Sequence, residues 1–170
     1  MSAEKQSEVL RDLQKAHGKI LNVIRYLNPK GGIKIAYCTE DASDERNVAV
    51  ASDMSVGFGY DEPIVRVLLT VRRYDSNIRS AVCIRCNEDI YETVKEAFID
   101  VERYDVNKYP KGISTMDWGV SFICRKGVPL AIAAENDALA GSCIYLLGSD
   151  PYETSTRTLI ISERLTYTNI

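Results

Sequence analysis

Short β-type segments alternate with amphipathic, helix-type segments along almost the whole of this chain, and that alternation limits the folds open to it. Apolar or alternating runs predict strands at residues 33–38, 48–51, 80–86, 101–106, 130–135 and 142–148. Segments with helical spacing separate several of them. This order is typical of an α/β domain with helices on both faces of a sheet. The 170 residues contain no linker or repeat and have the length of one domain.

Local signals mark where the helices begin and end. A first helix is predicted by apolar residues at helical spacing that run up to Asn28-Pro29, namely Val9, Leu13, Ala16, Ile20, Ile24 and Leu27. Later helices are predicted to begin at Asp61 with Pro63, at Asn87 as N-cap, and at Asp150-Pro151. In the segment TMDWGVSFIC, residues 115–124, we expect the second half to form a strand.

Charge and composition exclude several classes of protein. The net charge of -3 argues against direct nucleic-acid binding, which usually needs a basic surface. No run approaches the ~20 apolar residues that span a bilayer, and no secretory signal opens the chain, so we expect a cytoplasmic protein without membrane contact. Five cysteines, an odd number, fit reduced thiols. The CxxC at Cys83 and Cys86 lies on a predicted strand and lacks a second CxxC, so we interpret it as structural.

Two segments stand out as candidate sites. Arg85 ends an apolar strand just before a helix N-cap, a place where α/β folds bind ligands and where an arginine can hold phosphate. For the nearby arginines Arg72, Arg73 and Arg79, a solvated surface is the favoured interpretation. The segment STMDWG offers a carboxylate, Asp117, beside the single tryptophan, Trp118. In one interpretation the pair binds a cationic heteroaromatic ligand. In the other, Asp117 is a turn residue and Trp118 anchors the core. The residue types alone leave both open.

Seven segments follow one another in order between residues 27 and 152: LNPKGGIKIAY, VAVASDM, FGYDEPIVRVLL, IRSAVCIRC, ERYDVNKYP, STMDWG and LLGSDP. In the order and spacing of these segments the chain resembles the archaeal-type thiamine-phosphate synthase (ThiN) domain family. This resemblance implies a three-layer α/β/α fold with a mixed sheet, like the aldolase and hydroxymethylpyrimidine-kinase C-terminal domains, and commonly a homo-oligomer. It also implies a division into an N-terminal helix, residues 1–26, and a synthase-like domain, residues 27–170.

The resemblance further implies a reaction, and this chain departs from the residues that serve it. By this resemblance, the family joins hydroxymethylpyrimidine diphosphate to a thiazole phosphate with release of pyrophosphate, usually with Mg²⁺, and a histidine and an arginine serve that step. Here Pro63 stands at the histidine position and Asp53 at the arginine position. The chain's single histidine, His17, lies on the first helix, outside the matching segments, so we expect no part for it in any activity. The ligand-binding residues that the resemblance carries over are Phe58, Gly59, Arg66, Arg85, Asp105, Asp117, Trp118 and Gly119.

Three hypotheses follow from this pattern. The favoured one is a non-catalytic binder or sensor of thiamine phosphate or a similar phosphorylated heterocycle, without a cofactor. The second is an active synthase that uses Mg²⁺, with Asp117 or Asp61 for proton transfer. The third is an interaction protein that has kept only the fold.

Overall fold

A computed structural model describes residues 3–108, 115–137 and 141–168. The strands are Lys34–Cys38 (β1), Val48–Ala51 (β2), Val56–Phe58 (β3), Ser80–Arg85 (β4), Val101–Asp105 (β5), Ala131–Asp137 (β6) and Gly141–Gly148 (β7). The α-helices are Ala3–Ile20 (α1), Pro63–Arg72 (α2), Glu88–Phe98 (α3), Thr115–Cys124 (α4) and Pro151–Thr168 (α5).

All seven strands form one mixed sheet in the order β3-β2-β1-β4-β7-β6-β5. Only β5 and β6 pair in parallel, and every other neighbouring pair is antiparallel. Helices cover both faces of this sheet, so the predicted three-layer α/β/α fold is confirmed.

Strand side chains alternate between two hydrophobic cores, one on each face of the sheet. On β4, Val82 and Ile84 belong to the core formed with α1, α3 and α5. Ala81 and Cys83 belong to the other core, which is formed with α2 and α4. Both cores are apolar and close-packed, so they fix the positions of the strands. The candidate site lies at one end of these strands.

The first helix ends earlier than its apolar spacing indicates. Helix α1 stops at Ile20, and the chain then turns into a short 3₁₀ segment at Arg25–Leu27. The backbone N–H of Ile24 donates a 3.0 Å hydrogen bond to the Ser162 hydroxyl on α5 instead of continuing the helix. Leu27 is still fully buried, so the apolar pattern correctly marks core residues but not the helix end.

The segment TMDWGVSFIC is a helix, and the expected strand in its second half is wrong. Val120 and Cys124 are buried four residues apart, the spacing of one helical face, while Phe122 between them is exposed. Packing of α4 against α2 outweighs the strand propensity of the apolar run. Strand β3 was not predicted, because it is only three residues long and has Gly57 at its centre, so it shows no alternation.

The helix-start signals are confirmed with one correction. The Asn87 side chain accepts a 2.8 Å hydrogen bond from the backbone N–H of Ile90, as an N-cap should. Pro63 is the first residue of α2, but Glu62 and not Asp61 occupies the N-cap position. No helix in the described ranges is both long and apolar enough to cross a membrane.

Candidate functional site

A cavity of about 220 Å³ opens at one end of the sheet, beside the first turn of α2. It lies where β1 and β7 begin and where β4 ends, because Lys34 on β1 is paired with Cys83 on β4. Its polar and titratable lining consists of Lys30, Lys34, Glu62, Cys83, Cys143 and Tyr145, with Pro63 among the apolar residues. This end of the sheet therefore combines cations, a carboxylate and two thiols around one small space.

An ion pair links the sheet to α2 at this cavity. Lys34 Nζ lies 3.3 Å from Glu62 Oε2, and each side chain is 29% exposed. Because both groups are more than half buried, their attraction is screened less than that of a surface pair. The pair leaves both a cationic and an anionic group within reach of a ligand.

The Cys83 thiol in the wall resists ionisation. Hydrogen bonding to Cys143 and burial raise the pKa of Cys83 well above its usual value, while Lys34 and Tyr145 act in the opposite direction. Cys83 and Cys143 are both buried and both reduced. They act as small, weakly polar wall groups rather than as ionised nucleophiles.

Arg85, the predicted phosphate ligand, does not line this cavity but is paired across the β4–β7 ladder with Cys143, which does. Its side chain is exposed, and its guanidinium carbon lies 5.3 Å from the centre of the Tyr26 ring. Asn87 follows two residues later and caps α3, so Arg85 stands just before a helix N-terminus.

A row of paired residues leads from Arg85 across the sheet toward α4. Cys143 is paired with Ala134 on β6, and Ala134 with Tyr104 on β5. A Cβ placed on Gly119 of α4 would lie 2.5 Å from Cε2 of Tyr104, so helix and sheet touch at this glycine. The close approach gives Gly119 a packing role.

The remaining residues at this end make contacts of their own. Trp118 is half-buried and stacks on Phe122, with ring centres 5.8 Å apart and 14° between the planes. Asp105, at the end of β5, accepts a 3.0 Å hydrogen bond from the Asn136 side-chain amide, which holds the pKa of Asp105 below its usual value. The backbone of Asp117 is part of α4, but its side chain lies outside the described residues.

Three predicted site residues lie elsewhere. Phe58 is on the edge strand β3 and pairs with Ala49. Ala49 pairs with Tyr37, which is three residues along β1 from Lys34 at the cavity. Gly59 follows it with a φ of 85°, a turn conformation that favours glycine. Arg66 forms a two-pronged ion pair with Asp61, at 2.9 and 3.0 Å, on the outer side of α2.

His17 reaches the same end of the sheet from the other face. Its Nε2 lies 3.7 Å from Oδ1 of Asp53, and the histidine side chain is 13% exposed. Burial lowers the pKa of His17, and the Asp53 carboxylate opposes that shift. A Cβ on Gly32 would lie 3.0 Å from Oδ2 of Asp53, and Gly32 also lines the cavity. One glycine therefore separates the His17–Asp53 pair from the candidate site.

Arg72 does not lie on a solvated surface, contrary to our expectation. It is 9% exposed, and its guanidinium donates to the backbone carbonyls of Glu40, Ala42, Ser76 and Ile78 at 2.7–3.4 Å. These bonds tie α2 to the loops on either side of it. Arg72 is a structural residue and not a ligand candidate.

Sequence reasoning missed Lys34, Glu62 and Tyr145 as site residues. The one available signal was that Lys34 opens a strand and Glu62 precedes a helix, both in segments that flank the predicted site. Among the residues that the structure describes, no group of three or more His, Cys, Asp or Glu side chains is placed to hold a metal ion.

The sequence profile of the family described as thiamine-phosphate synthase ThiN matches residues 12–159. The match includes His17, which we had expected outside the matching region. The bifunctional thiamine biosynthesis protein ThiDN of Methanocaldococcus jannaschii is 27% identical over 110 residues. That stretch covers 64% of this chain but only 26% of the relative.

Solved structures share the fold. The C-terminal domain of protein MJ0236 superposes with a TM-score of 0.84 at 23% identity and covers 97% of this chain and 98% of its own. The C-terminal domain of a phosphomethylpyrimidine kinase gives a TM-score of 0.79 at 22% identity, with 92% and 99% covered. An L-fuculose-1-phosphate aldolase from Thermus thermophilus gives 0.55 at 10% identity, with 96% and 95% covered. At these identities the likenesses show the fold alone.

Proposed function

Because this chain belongs to the thiamine-phosphate synthase ThiN family, we propose that it binds thiamine phosphate, or a closely related phosphorylated heterocycle, without converting it. A binder is favoured over a catalyst because of the groups that the cavity offers to a ligand and the groups that it lacks.

The observation that carries the proposal is Pro63 in the first turn of α2, at the wall of the cavity. A proline side chain can neither donate nor accept a proton, so this position cannot assist the departure of pyrophosphate. No residue that lines the cavity, within the described part of the chain, is a histidine. Two charged residues of the lining, Glu62 and Lys34, form an ion pair with each other.

The size and charge of the site fit a two-ring ligand held partly inside it. Its volume of about 220 Å³ lies below the ~300–1,000 Å³ usual for pockets that enclose a whole small molecule. We therefore place one heterocycle in the cavity, where Glu62 can accept from a ring amine. The phosphate would extend along the strand ends to Arg85, whose exposed guanidinium can bind it bidentately.

The balance of charge favours a monophosphate over a diphosphate. Lys30, Lys34 and Arg85 supply positive charge at this end of the sheet, but Glu62 is paired with Lys34 and Asp53 lies just beyond Gly32. A diphosphate would bring more negative charge against these two carboxylates. The product-like monophosphate meets less repulsion.

Calorimetric titration of the purified protein with thiamine phosphate tests the proposal. We expect saturable binding that Arg85→Ala abolishes, because the main charge partner of the phosphate is lost. Arg73→Ala, which removes an exposed arginine at the other end of α2, should bind like the wild type. No heat at millimolar ligand, or equal affinity in Arg85→Ala, would contradict the assignment.

The pair formed by His17 and Asp53 favours a second candidate, an active synthase. The imidazole lies inside the family match and within one glycine of the cavity, so it could handle the proton that Pro63 cannot. Mg²⁺ would then be needed to neutralise the departing pyrophosphate. Pyrophosphate release from hydroxymethylpyrimidine diphosphate and thiazole phosphate distinguishes the two. Turnover that is lost in His17→Gln would establish the synthase and overturn the binder.

A further inference from the structure

Two cysteines on neighbouring strands share one wall of the cavity. Cys83 on β4 is paired with Tyr145, and Cys143 on β7 is paired with Arg85, so the two cysteines are diagonal neighbours on the same face of the sheet. Both belong to the core formed with α2 and α4, and both line the cavity. The Cys143 side chain lies close enough to Cys83 to raise the pKa of that thiol. Neither thiol has a part in the proposed function.

The diagonal geometry disfavours a direct disulfide. Diagonal neighbours in an antiparallel pair have Cα atoms roughly 7–8 Å apart, whereas a disulfide usually needs about 4.4–6.8 Å. One atom inserted between the sulfurs would relieve this mismatch. The arrangement is therefore better suited to a bridged pair of sulfurs than to a sulfur–sulfur bond.

We propose that Cys83 and Cys143 form a two-thiolate site for one thiophilic monovalent cation, with Cu(I) as its chemical type. Soft thiolate ligands select soft cations. Cys86 packs with the core on the opposite face of the sheet, so it does not complete a three-sulfur set with this pair. Zinc prefers four donors, and no cluster of three or more candidate ligands exists in the described ranges.

The charges and protons of this binding step balance. Two neutral thiols and one monovalent cation give a bis-thiolate complex of charge minus one and two released protons. Cys143 and burial raise the pKa of Cys83, so the cation has to displace a firmly held proton there. Lys34 lies in the same cavity wall and partly offsets the resulting negative charge. No electron is transferred, so the step needs no oxidant or reductant.

Competition between the reduced protein and the chromophoric Cu(I) chelator bicinchoninate, under anaerobic conditions, tests the proposal. We expect one Cu(I) per chain, with binding at least about ten-fold weaker in either Cys83→Ala or Cys143→Ala because one of two soft ligands is gone. Cys38→Ala and Cys124→Ala remove other buried thiols from the same core and should bind like the wild type. Undiminished binding in both of the first two variants, or no binding in the wild type, would overturn the proposal.

Two measurements on the wild type do not depend on whether the variants fold. X-ray absorption of the Cu(I) protein should show two sulfur neighbours and no nitrogen or oxygen neighbour. Because two protons leave, affinity should rise on the order of 100-fold per pH unit below the thiol pKa values. A third sulfur, a nitrogen neighbour, or a slope of one proton or none would overturn the two-thiolate site. None of these outcomes bears on the binding of thiamine phosphate.

Discussion

Replacing Gly119 by alanine should destabilise the protein, although alanine is the better helix former. The new Cβ would lie 2.5, 2.6 and 2.9 Å from three atoms of the Tyr104 ring, and real Cβ contacts essentially never fall below 3.0 Å. Tyr104 is only 4% exposed, so its ring cannot swing into solvent to make room. Because three ring atoms clash at once, we take the upper end of the overpacking cost, about 3 kcal/mol.

Helix propensity offsets part of this cost. Alanine stabilises a helix interior by about 1 kcal/mol relative to glycine, which leaves a net loss of about 2 kcal/mol. Gly18 is a matched control, because it is exposed on α1 and a Cβ there meets nothing within 4 Å. Gly18→Ala should therefore gain up to about 1 kcal/mol, and the two glycine-to-alanine changes should differ by about 3 kcal/mol.

Urea unfolding, followed by circular dichroism, measures the free energy of unfolding of both variants. It does not rely on the fluorescence of Trp118, which adjoins the substituted residue. The same net loss should lower the Tm of Gly119→Ala by about 4–8 °C. In a double-mutant cycle, Tyr104→Leu should relieve much of the cost of Gly119→Ala. If Gly119→Ala were as stable as Gly18→Ala, the contact between α4 and β5 would not be the reason for this glycine.

Two further predictions test single side chains. Arg72→Met should cost about 3 kcal/mol or more in urea unfolding, because four backbone carbonyls in buried or part-buried hydrogen bonds lose their donor. Arg73→Met, at an exposed position, should change stability by less than about 0.5 kcal/mol, and equal losses would contradict the role of Arg72. Because burial lowers the pKa of His17 below 6.5 in the folded protein, the unfolded chain binds more protons and stability falls as pH drops through that value. His17→Gln should lose less stability than the wild type between about pH 7 and about pH 5, and an equal loss would contradict the burial of the imidazole.

Features that depend on neighbouring residues were predictable from the sequence. Asn87 caps α3 through a bond to a residue three positions later, and strand β2 has the bounds that its apolar run predicts. Arg85 could be placed near the site because the end of a strand and the start of a helix are local signals that meet at a known position in α/β folds.

Features that depend on tertiary contacts were not predictable. The end of α1 depends on a hydrogen bond between Ile24 and Ser162, which lie at opposite ends of the chain. The ion pair of Lys34 with Glu62 exists because β1 runs beside β4 and brings its first residue to the start of α2, and no local pattern records that strand order. His17 could not be placed for the same reason, since its partner Asp53 belongs to a later hairpin.

The order of strands also determines when the site comes into existence. Strands β2 and β3 pair only with neighbours in sequence, and β1 pairs with β2 and with β4, whereas β4 also pairs with β7 across residues as far apart as Ser80 and Gly148. Closing so long a loop is costly and late in folding. Cys83 and Tyr145 face the cavity from the two sides of that ladder, so a growing chain has no cavity until β7 has been synthesised. A ligand of this site therefore stabilises only the completed fold and has no effect on the early steps of folding.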